Sequence, residues 1–166
     1  MSSVPSAKPA ETPRRRRRLT NQIKESLREL RIQLSLLNYR IGGRLDLRNV
    51  DVDCLDLVSR YGPISPSTLA RRAGLHPATL TGILDRLERD GWVSRERDPA
   101  DRRAVLVRAR PDRAAEVFRL YGGMNTSLDQ ICASYQQAEL ELLADFLRRT
   151  TDAGRTATDQ LTQGTS

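Results

Sequence analysis

The sequence predicts a mainly α-helical fold with one small β-hairpin, and three observations support this class. Apolar residues recur at alternating steps of four and three over residues 19–45 and 111–150, as they do along packed helices. Two short helices with clear start and stop signals lie between these stretches. Two short alternating segments follow and predict the hairpin. At 166 residues, the chain has room for one domain with appendages.

The first 18 residues differ in composition from the rest of the chain. They contain Ser, Pro, Ala and Lys, followed by five consecutive arginines from Arg14 to Arg18. Such a segment buries little and repels itself, so residues 1–18 are predicted to form a disordered basic arm. The arginines suit either an arm that follows phosphates or a solubilising tail. Residues 151–166, rich in Thr, Gln, Gly and Asp, are predicted to form a flexible tail.

The charge balance favours a polyanionic partner. Lys and Arg number 28 against 21 Asp and Glu, a formal net charge of +7, which suits nucleic acid or an anionic membrane surface. Cys54, Cys132 and the single His76 are too dispersed for a zinc site, so neither metal nor cofactor is expected. With no secretory signal and no apolar run of membrane-spanning length, we expect a cytoplasmic protein that is not embedded in a membrane.

The first long helix is predicted over residues 19–45. Its apolar residues lie on one face with the spacing of a helix that packs lengthwise against another helix. Gly42 and Gly43 weaken its end, and a second, short amphipathic helix follows over residues 51–60. The residues of the apolar seam are Ile23, Leu27, Leu30, Leu34, Leu37 and Ile41.

Two short helices come next, over residues 65–75 and 76–91. In the first, Ser65 suits the N-cap, Pro66 the first helical position, and Gly74 the left-handed residue after the end. Pro77 opens the second. A closely crossing helix pair needs a small residue, a glycine in the turn and a branched apolar residue. Ala70, Gly74 and Leu80 supply these, and the buried stripe of the second helix is Leu80, Ile83, Leu84 and Leu87.

After Gly91, the segments WVSRERD and AVLVRA predict two strands joined by the turn DPADRR. Helix returns from Asp112, and a last helix begins near Ala138. Residues 65–110 are thus predicted to contain, in order, a helix, a tight turn, a second helix and a basic hairpin. This is the order of elements in a winged helix-turn-helix. The segment 51–110 is therefore predicted to bind nucleic acid.

The stretch LARRAGLHPATLTGILDRLERDGWVSRERDPADRRAVLV, residues 69–107, resembles the MarR (multiple antibiotic resistance) family of bacterial winged-helix regulators, most clearly in LDRLERDGWVSR and DPADRR. The order of elements extends the resemblance over residues 19–150 as a single domain. It implies a homodimer held by long terminal helices, 19–45 and 111–150, that acts as a sequence-specific repressor on double-stranded DNA and associates with the nucleoid. It also implies possible relief by a small-molecule effector.

Two features depart from the family pattern. The segment ARPDRAAEV follows the wing where the family usually continues with a Leu-Thr opening and a later glycine. Gly122 and Gly123 lie inside a predicted dimer helix, where each costs about 1 kcal/mol relative to Ala. We expect a kink or break at these glycines.

The second short helix is the expected recognition helix. When the apolar stripe of this helix faces the core, a helical wheel places small residues on the outward face near the N-terminal end. Small residues there favour contacts with thymine methyl groups and close approach of the backbone to DNA. His76 either binds a phosphate at the helix N-terminus or only caps the helix. Asp85 and Glu88 are expected to orient neighbouring arginines. The candidate DNA contacts of this helix are His76, Ala78, Thr79, Thr81, Gly82 and Arg86.

The wing supplies the other candidate DNA contacts. The resemblance implies that Asp101 orients Arg103 into a minor groove, which is narrow and electronegative in AT-rich DNA. Arg97 and Arg102 are candidates for contacts with the phosphate backbone.

An effector of this family would occupy a cleft that here draws on Tyr39, Arg40, Arg44, Cys54 and Tyr61. Two alternatives remain open: a thiol-based redox sensor that uses Cys54, and a winged helix that serves as a protein-interaction module. An enzyme is not expected, because the sequence offers one histidine, no Gly-rich phosphate loop, no metal cluster and no nucleophile beside an evident base.

Overall fold

A computed structural model describes residues 13–101 and 103–163, and it confirms a mainly helical fold with one two-stranded antiparallel hairpin. No helix within these ranges combines the length and the apolar composition needed to cross a membrane. The elements are α1 Pro13–Leu45, α2 Asn49–Tyr61, α3 Pro66–Ala73, α4 Pro77–Arg89, β1 Val93–Arg97, β2 Val105–Ala109, α5 Pro111–Leu120, α6 Gly122–Ala133 and α7 Gln137–Gln163.

The hydrophobic core lies among α2, α3, α4 and the hairpin. Each helix contributes its apolar face, and Trp92 seals the core where α4 passes into β1. The guanidinium of Arg113 stacks on the Trp92 ring, 3.7 Å from its centroid, and so ties the start of α5 to this core. The largest fully buried side chains are Trp92, Leu55, Leu69, Leu80, Ile83, Leu84, Leu87, Val52, Val58, Val93 and Val107.

The signals at the ends of α3 lie where the sequence predicts them. Ser65 is the N-cap, and its Oγ accepts a hydrogen bond from the Thr68 amide at 3.3 Å. Gly74 has a φ of 64°. The Leu75 amide donates to the Ala70 carbonyl at 2.9 Å, which closes the helix and starts the turn towards α4.

The hairpin pairs Val93 with Ala109 at its base and Arg97 with Val105 near its tip. Ile64, in the loop before α3, exchanges two backbone hydrogen bonds with Val107, at 3.0 and 2.8 Å. The loop segment at Ile64 therefore fixes the base of the hairpin against the helix pair, and only the tip of the hairpin extends away from the core.

The expected break in the C-terminal helices is present. Helix α5 ends at Leu120, and α6 starts at Gly122. At the junction, the Tyr121 hydroxyl donates to Asn38 Oδ1 at 2.6 Å, and Asn38 Nδ2 donates to Asp53 Oδ1 at 3.1 Å. The break therefore coincides with a polar link between α1, α2 and the C-terminal helices.

Both ends of the chain differ from the sequence prediction. Residues 13–18 were expected to be disordered, but they form the first turns of α1. Pro13 suits the first helical position, and arginine is a good helix former. The remainder of the predicted basic arm, residues 1–12, and residues 164–166 lie outside the described residues.

The predicted flexible tail is helical from residue 151 to residue 163, because α7 runs on to Gln163. The segment is polar, as predicted, but it is helical, and its side chains make local contacts along the helix. The hydroxyls of Thr151, Thr156 and Thr158 donate to carbonyls four residues earlier. Arg155 and Asp152 form an ion pair three residues apart, at 3.2 Å. Polar composition alone did not distinguish a solvated helix from a coil.

Two glycine substitutions should change stability in opposite directions. Gly74→Ala places a Cβ at a positive φ and should cost about 1 to 2 kcal/mol. Gly43→Ala lies in a helix where, apart from its chain neighbours and the backbone of the adjoining turns, no described atom comes within 4 Å of the added Cβ, and it should stabilise by about 0.5 to 1 kcal/mol. Denaturant unfolding of both variants measures the difference, and equal signs would contradict the left-handed turn.

Candidate nucleic-acid interface

Helix α4 has one buried face and one shallow exposed face. Ala78, Thr79 and Thr81 are exposed and Gly82 is half-buried, whereas the apolar stripe faces the core. The Thr81 hydroxyl donates to the Pro77 carbonyl at 3.0 Å, and its methyl group completes a small, uncharged surface. This face can approach a groove floor closely and offers apolar contact to a thymine methyl group.

His76 caps α4. Its Nδ1 accepts a hydrogen bond from the Ala78 amide at 3.3 Å, and the side chain is exposed. A ring that accepts through Nδ1 in its neutral form carries its proton on Nε2, where it can donate to a phosphate. The capping interpretation is therefore supported, and it is compatible with a phosphate contact.

Arg86 turns inward, unlike the DNA contact expected from the sequence. Its Nε and one terminal nitrogen donate to the two carboxylate oxygens of Asp51 at 3.2 and 2.7 Å. Its other terminal nitrogen donates to the Gly82 carbonyl at 3.1 Å. The hydrogen bond to Asp51 is the main cause that raises the pKa of Arg86. Arg86 thus joins α4 to α2, and this corrects its sequence-based assignment.

Sequence reasoning missed Asp51, which is only 2% exposed. Asp51 lies four and seven residues before Leu55 and Val58, so it shares the apolar face of α2. An acidic residue on such a face signals a buried pair, and this signal is present in the sequence. The partner lies 35 residues away, and the sequence does not reveal it.

Arg95 neutralises the acidic residues of α4. Its terminal nitrogens donate to Asp85 and Glu88, each at 2.6 Å, and its amide donates to Glu88 at 3.3 Å. The hydrogen bond to Asp85 contributes most to the raised pKa of Arg95. Asp85 and Glu88 therefore orient an arginine, as expected, and they fasten α4 to β1.

The wing tip is organised by two aspartates. Asp98 Oδ1 accepts from the Ala100 amide at 2.8 Å, and Asp101 Oδ1 accepts from the Arg103 amide at 3.0 Å. The Asp101 carbonyl accepts from Ala104 at 2.9 Å. Asp101 thus acts on Arg103 through the main chain, by fixing the turn from which the arginine projects. Arg97 is exposed at the end of β1, and Arg102 lies outside the described residues.

Three of the five predicted effector residues share one cavity. Tyr39, Arg40 and Arg44 line a space of about 1220 Å³ between α1, the start of α2 and the end of α5. Tyr61 lines a different cavity. Cys54 is fully buried in the core, so it cannot line a cleft, and its assignment to the effector site is corrected.

The environment of Cys54 disfavours thiol chemistry. Burial is the main cause that raises the pKa of its thiol to about 11, and Asp51 and Asp53 add to the shift while Arg86 opposes it. About one thiol in a thousand is ionised at pH 8 when the pKa is 11. The reactive thiolate is therefore scarce, and the surrounding core excludes reagents.

Comparisons with known proteins agree with this architecture. The model of the MarR family matches residues 47–105. The chain is 29% identical over 136 residues to the HTH-type transcriptional regulator YcgE of Bacillus subtilis, covering 82% of this chain and 88% of YcgE. It is 32% identical over 110 residues to the regulator YfiV of the same organism, covering 63% of this chain and 68% of YfiV.

A solved structure shares the fold. The structure of Streptococcus pneumoniae FabT in complex with DNA covers 83% of this chain and 99% of its own, with a TM-score of 0.65 and 17% identity. The winged helix-turn-helix architecture predicted from the sequence is thereby confirmed.

The Arg86 and Asp51 pair should be strongly coupled. Removing Arg86 leaves a buried carboxylate without its partner, so Arg86→Ala should destabilise the fold by about 2 to 4 kcal/mol. Arg86→Ala combined with Asp51→Ala should cost less than the sum of the single changes. Arg89→Ala, which breaks an exposed pair with Asp90, is the matched control and should have a much smaller effect in denaturant unfolding. Additive single changes would exclude the pair as a coupled unit.

Proposed function

Because the chain belongs to the MarR family of transcriptional regulators, we propose that it is a sequence-specific DNA-binding regulator that acts as a homodimer. One observation carries this proposal: α4 presents a small, neutral face whose acidic neighbours are neutralised from within the protein. Such a face suits a major groove. The family and its relatives are transcriptional regulators rather than enzymes.

The recognition helix reads DNA with few polar groups. Ala78 and Thr81 contact thymine methyl groups, Gly82 permits close approach, and Thr79 borders them. His76 donates to a phosphate at the start of the helix. Arg86 acts indirectly, because it holds the helix on α2. Base selection therefore depends on shape and methyl contact more than on bidentate hydrogen bonds.

The wing extends the contact beyond the major groove. The turn set by Asp101 presents Arg103 to a flanking minor groove, and Arg97 and Arg102 contact phosphates. A narrow AT-rich groove concentrates negative potential and favours an inserted arginine. Occupation of an operator by both winged domains lets the protein act as a repressor, and DNA binding places the protein with the nucleoid.

Dimerisation is supported by unpartnered apolar side chains on the terminal helices. They lie on both predicted seams, in segments 19–45 and 111–150, and a lone subunit leaves them in water. A two-fold axis would cover both seams and place two recognition helices in successive major grooves. Among these exposed residues are Ile23, Leu30, Leu34, Met124, Leu128, Ile131, Tyr135, Leu143 and Leu147.

The cavity beside Tyr39, Arg40 and Arg44 is the proposed effector site. Its wall includes residues 47–50 at the start of α2. The next residue, Asp51, holds Arg86 of α4. A ligand that displaces this end of α2 would shift the recognition helix and relieve DNA binding. The thiol-sensor alternative has less support, because Cys54 is buried and its pKa is raised.

Sedimentation velocity tests the dimer. The unmodified protein should sediment as a dimer at micromolar concentration. Leu34→Asp should weaken association by at least about 100-fold, because it buries an unpaired charge in the seam. Ser35→Asp adds the same charge at the next position, off the predicted seam, and should retain the dimer. A compact monomer for the unmodified protein would exclude this assembly.

The wing test begins with selection of binding sites from genomic DNA. Competition binding then compares one selected site with a version mutated in its flanks. Arg103→Ala should weaken binding by about 1 to 3 kcal/mol on AT-rich flanks. Asp101→Ala should weaken it similarly although it removes a negative charge, because the turn is lost.

Asp129→Ala is the matched control for charge, since it removes a carboxylate from exposed α6. It should leave affinity unchanged or slightly increase it. If Asp101→Ala behaves like this control, the wing acts as a non-specific phosphate patch. If selection recovers no preferred sites, sequence-specific binding itself is excluded.

A further inference from the structure

The last two turns of α7, residues 156–163, lie beside the turn between α3 and α4, and we call them the distal segment. An added Cβ on Gly74, the left-handed residue of that turn, would lie 3.9 Å from Thr158 Cγ2. Thr158 and Asp159 also line a space of about 580 Å³ together with Gly74, His76 and Pro77. The distal segment therefore lies next to the N-terminal end of the recognition helix.

This end of α4 is also where the proposed function places a DNA phosphate. His76 is exposed and caps the helix by accepting a hydrogen bond from the Ala78 amide. In helix-turn-helix proteins, the second helix contacts base edges with its N-terminal residues, while the first helix crosses the DNA backbone. A DNA backbone that reaches His76 therefore enters the space that Thr158 and Asp159 border.

The charge of the distal segment opposes DNA at this place. Asp152 pairs with Arg155 at 3.2 Å, whereas Asp159 forms no ion pair within residues 13–101 and 103–163. The Asp159 carboxylate therefore keeps its full negative charge beside the space that a phosphate would enter, and like charges repel. The distal segment would thus oppose a DNA backbone both by its volume and by its charge.

The contact between the distal segment and the turn is shallow. Residues 151–161 are all exposed, and so are Gly74, His76 and Pro77 on the opposite side. The segment has its own local support, because Thr156 and Thr158 donate to carbonyls four residues earlier, at 3.1 and 3.0 Å. A contact that buries so little apolar surface separates at low cost. The distal segment can therefore leave the turn without unfolding the core.

We propose that the distal segment is an autoinhibitory element, which lies over the turn in the DNA-free protein and moves away when a DNA backbone binds. This inference rests on the proposed function. A segment that occupies the site about nine-tenths of the time lowers the apparent DNA affinity about tenfold. The segment borders the helix N-terminus rather than the groove-facing Thr81. It therefore opposes all DNA sequences alike, since backbone contacts carry no base information.

DNA titrations test the proposal by comparing the full chain with a chain shortened after Arg155, which keeps the pair with Asp152. Each is titrated at one salt concentration with a site selected from genomic DNA and with a random duplex. The shortened chain should bind both duplexes about tenfold more tightly, by the same factor. Circular dichroism and sedimentation verify that its fold and association are unchanged. Unchanged or weaker binding would overturn the proposal, because a segment that only supports the turn would lower affinity when removed.

A point variant tests the segment without shortening the chain. Asp159→Asn should raise affinity for both duplexes about threefold, and the gain should shrink as salt is added. Asp129→Asn is the matched control, because it changes the net charge equally on exposed α6, and it should have little effect. Equal effects of the two variants would overturn the role of Asp159. If the full and shortened chains bind the selected site equally, this inference alone fails, whereas no binding by either chain would exclude the proposed function as well.

Discussion

The ion pair between Asp51 and Arg86 sets the position of the recognition helix. Apolar packing holds α4 on the core, but an apolar stripe alone permits rotation and sliding. The bidentate contact, with distances of 2.7 and 3.2 Å, fixes the rotation of α4 against α2. Arg95 fixes the same helix from the side of the hairpin, through Asp85 and Glu88. The face proposed to contact DNA is thus positioned by charged contacts on both of its flanks.

Local signals explain why much of the fold was predictable. Ser65, Pro66, Gly74 and Pro77 act within a few residues of themselves, so the ends of α3 and the start of α4 followed from their chemistry. The break before Gly122 followed from helix propensity in the same way. These features require no knowledge of distant parts of the chain.

Long-range pairing explains what the sequence did not reveal. A helical wheel placed Arg86 beside the groove-facing residues, but it contains no information about Asp51, which approaches from another helix. Cys54 was assigned to a cleft for the same reason, because its neighbours in sequence do not show that the core encloses it. The ends of α1 and α7 were misjudged because polar composition was equated with disorder. The wing turn was predicted, although its hydrogen bond to a main-chain amide was not.

The shallow face of α4 has an evolutionary consequence. Ala78, Thr81 and Gly82 contribute little to the core, and the helix is held by residues on its other sides. In the proposed DNA complex, substitutions at these three positions would therefore alter base preference with little loss of stability. Paralogous copies of such a regulator could diverge to new operators through a few point changes, while the residues that hold the helix stay the same. In this architecture, the inherited scaffold and the acquired specificity occupy separate positions of one short helix.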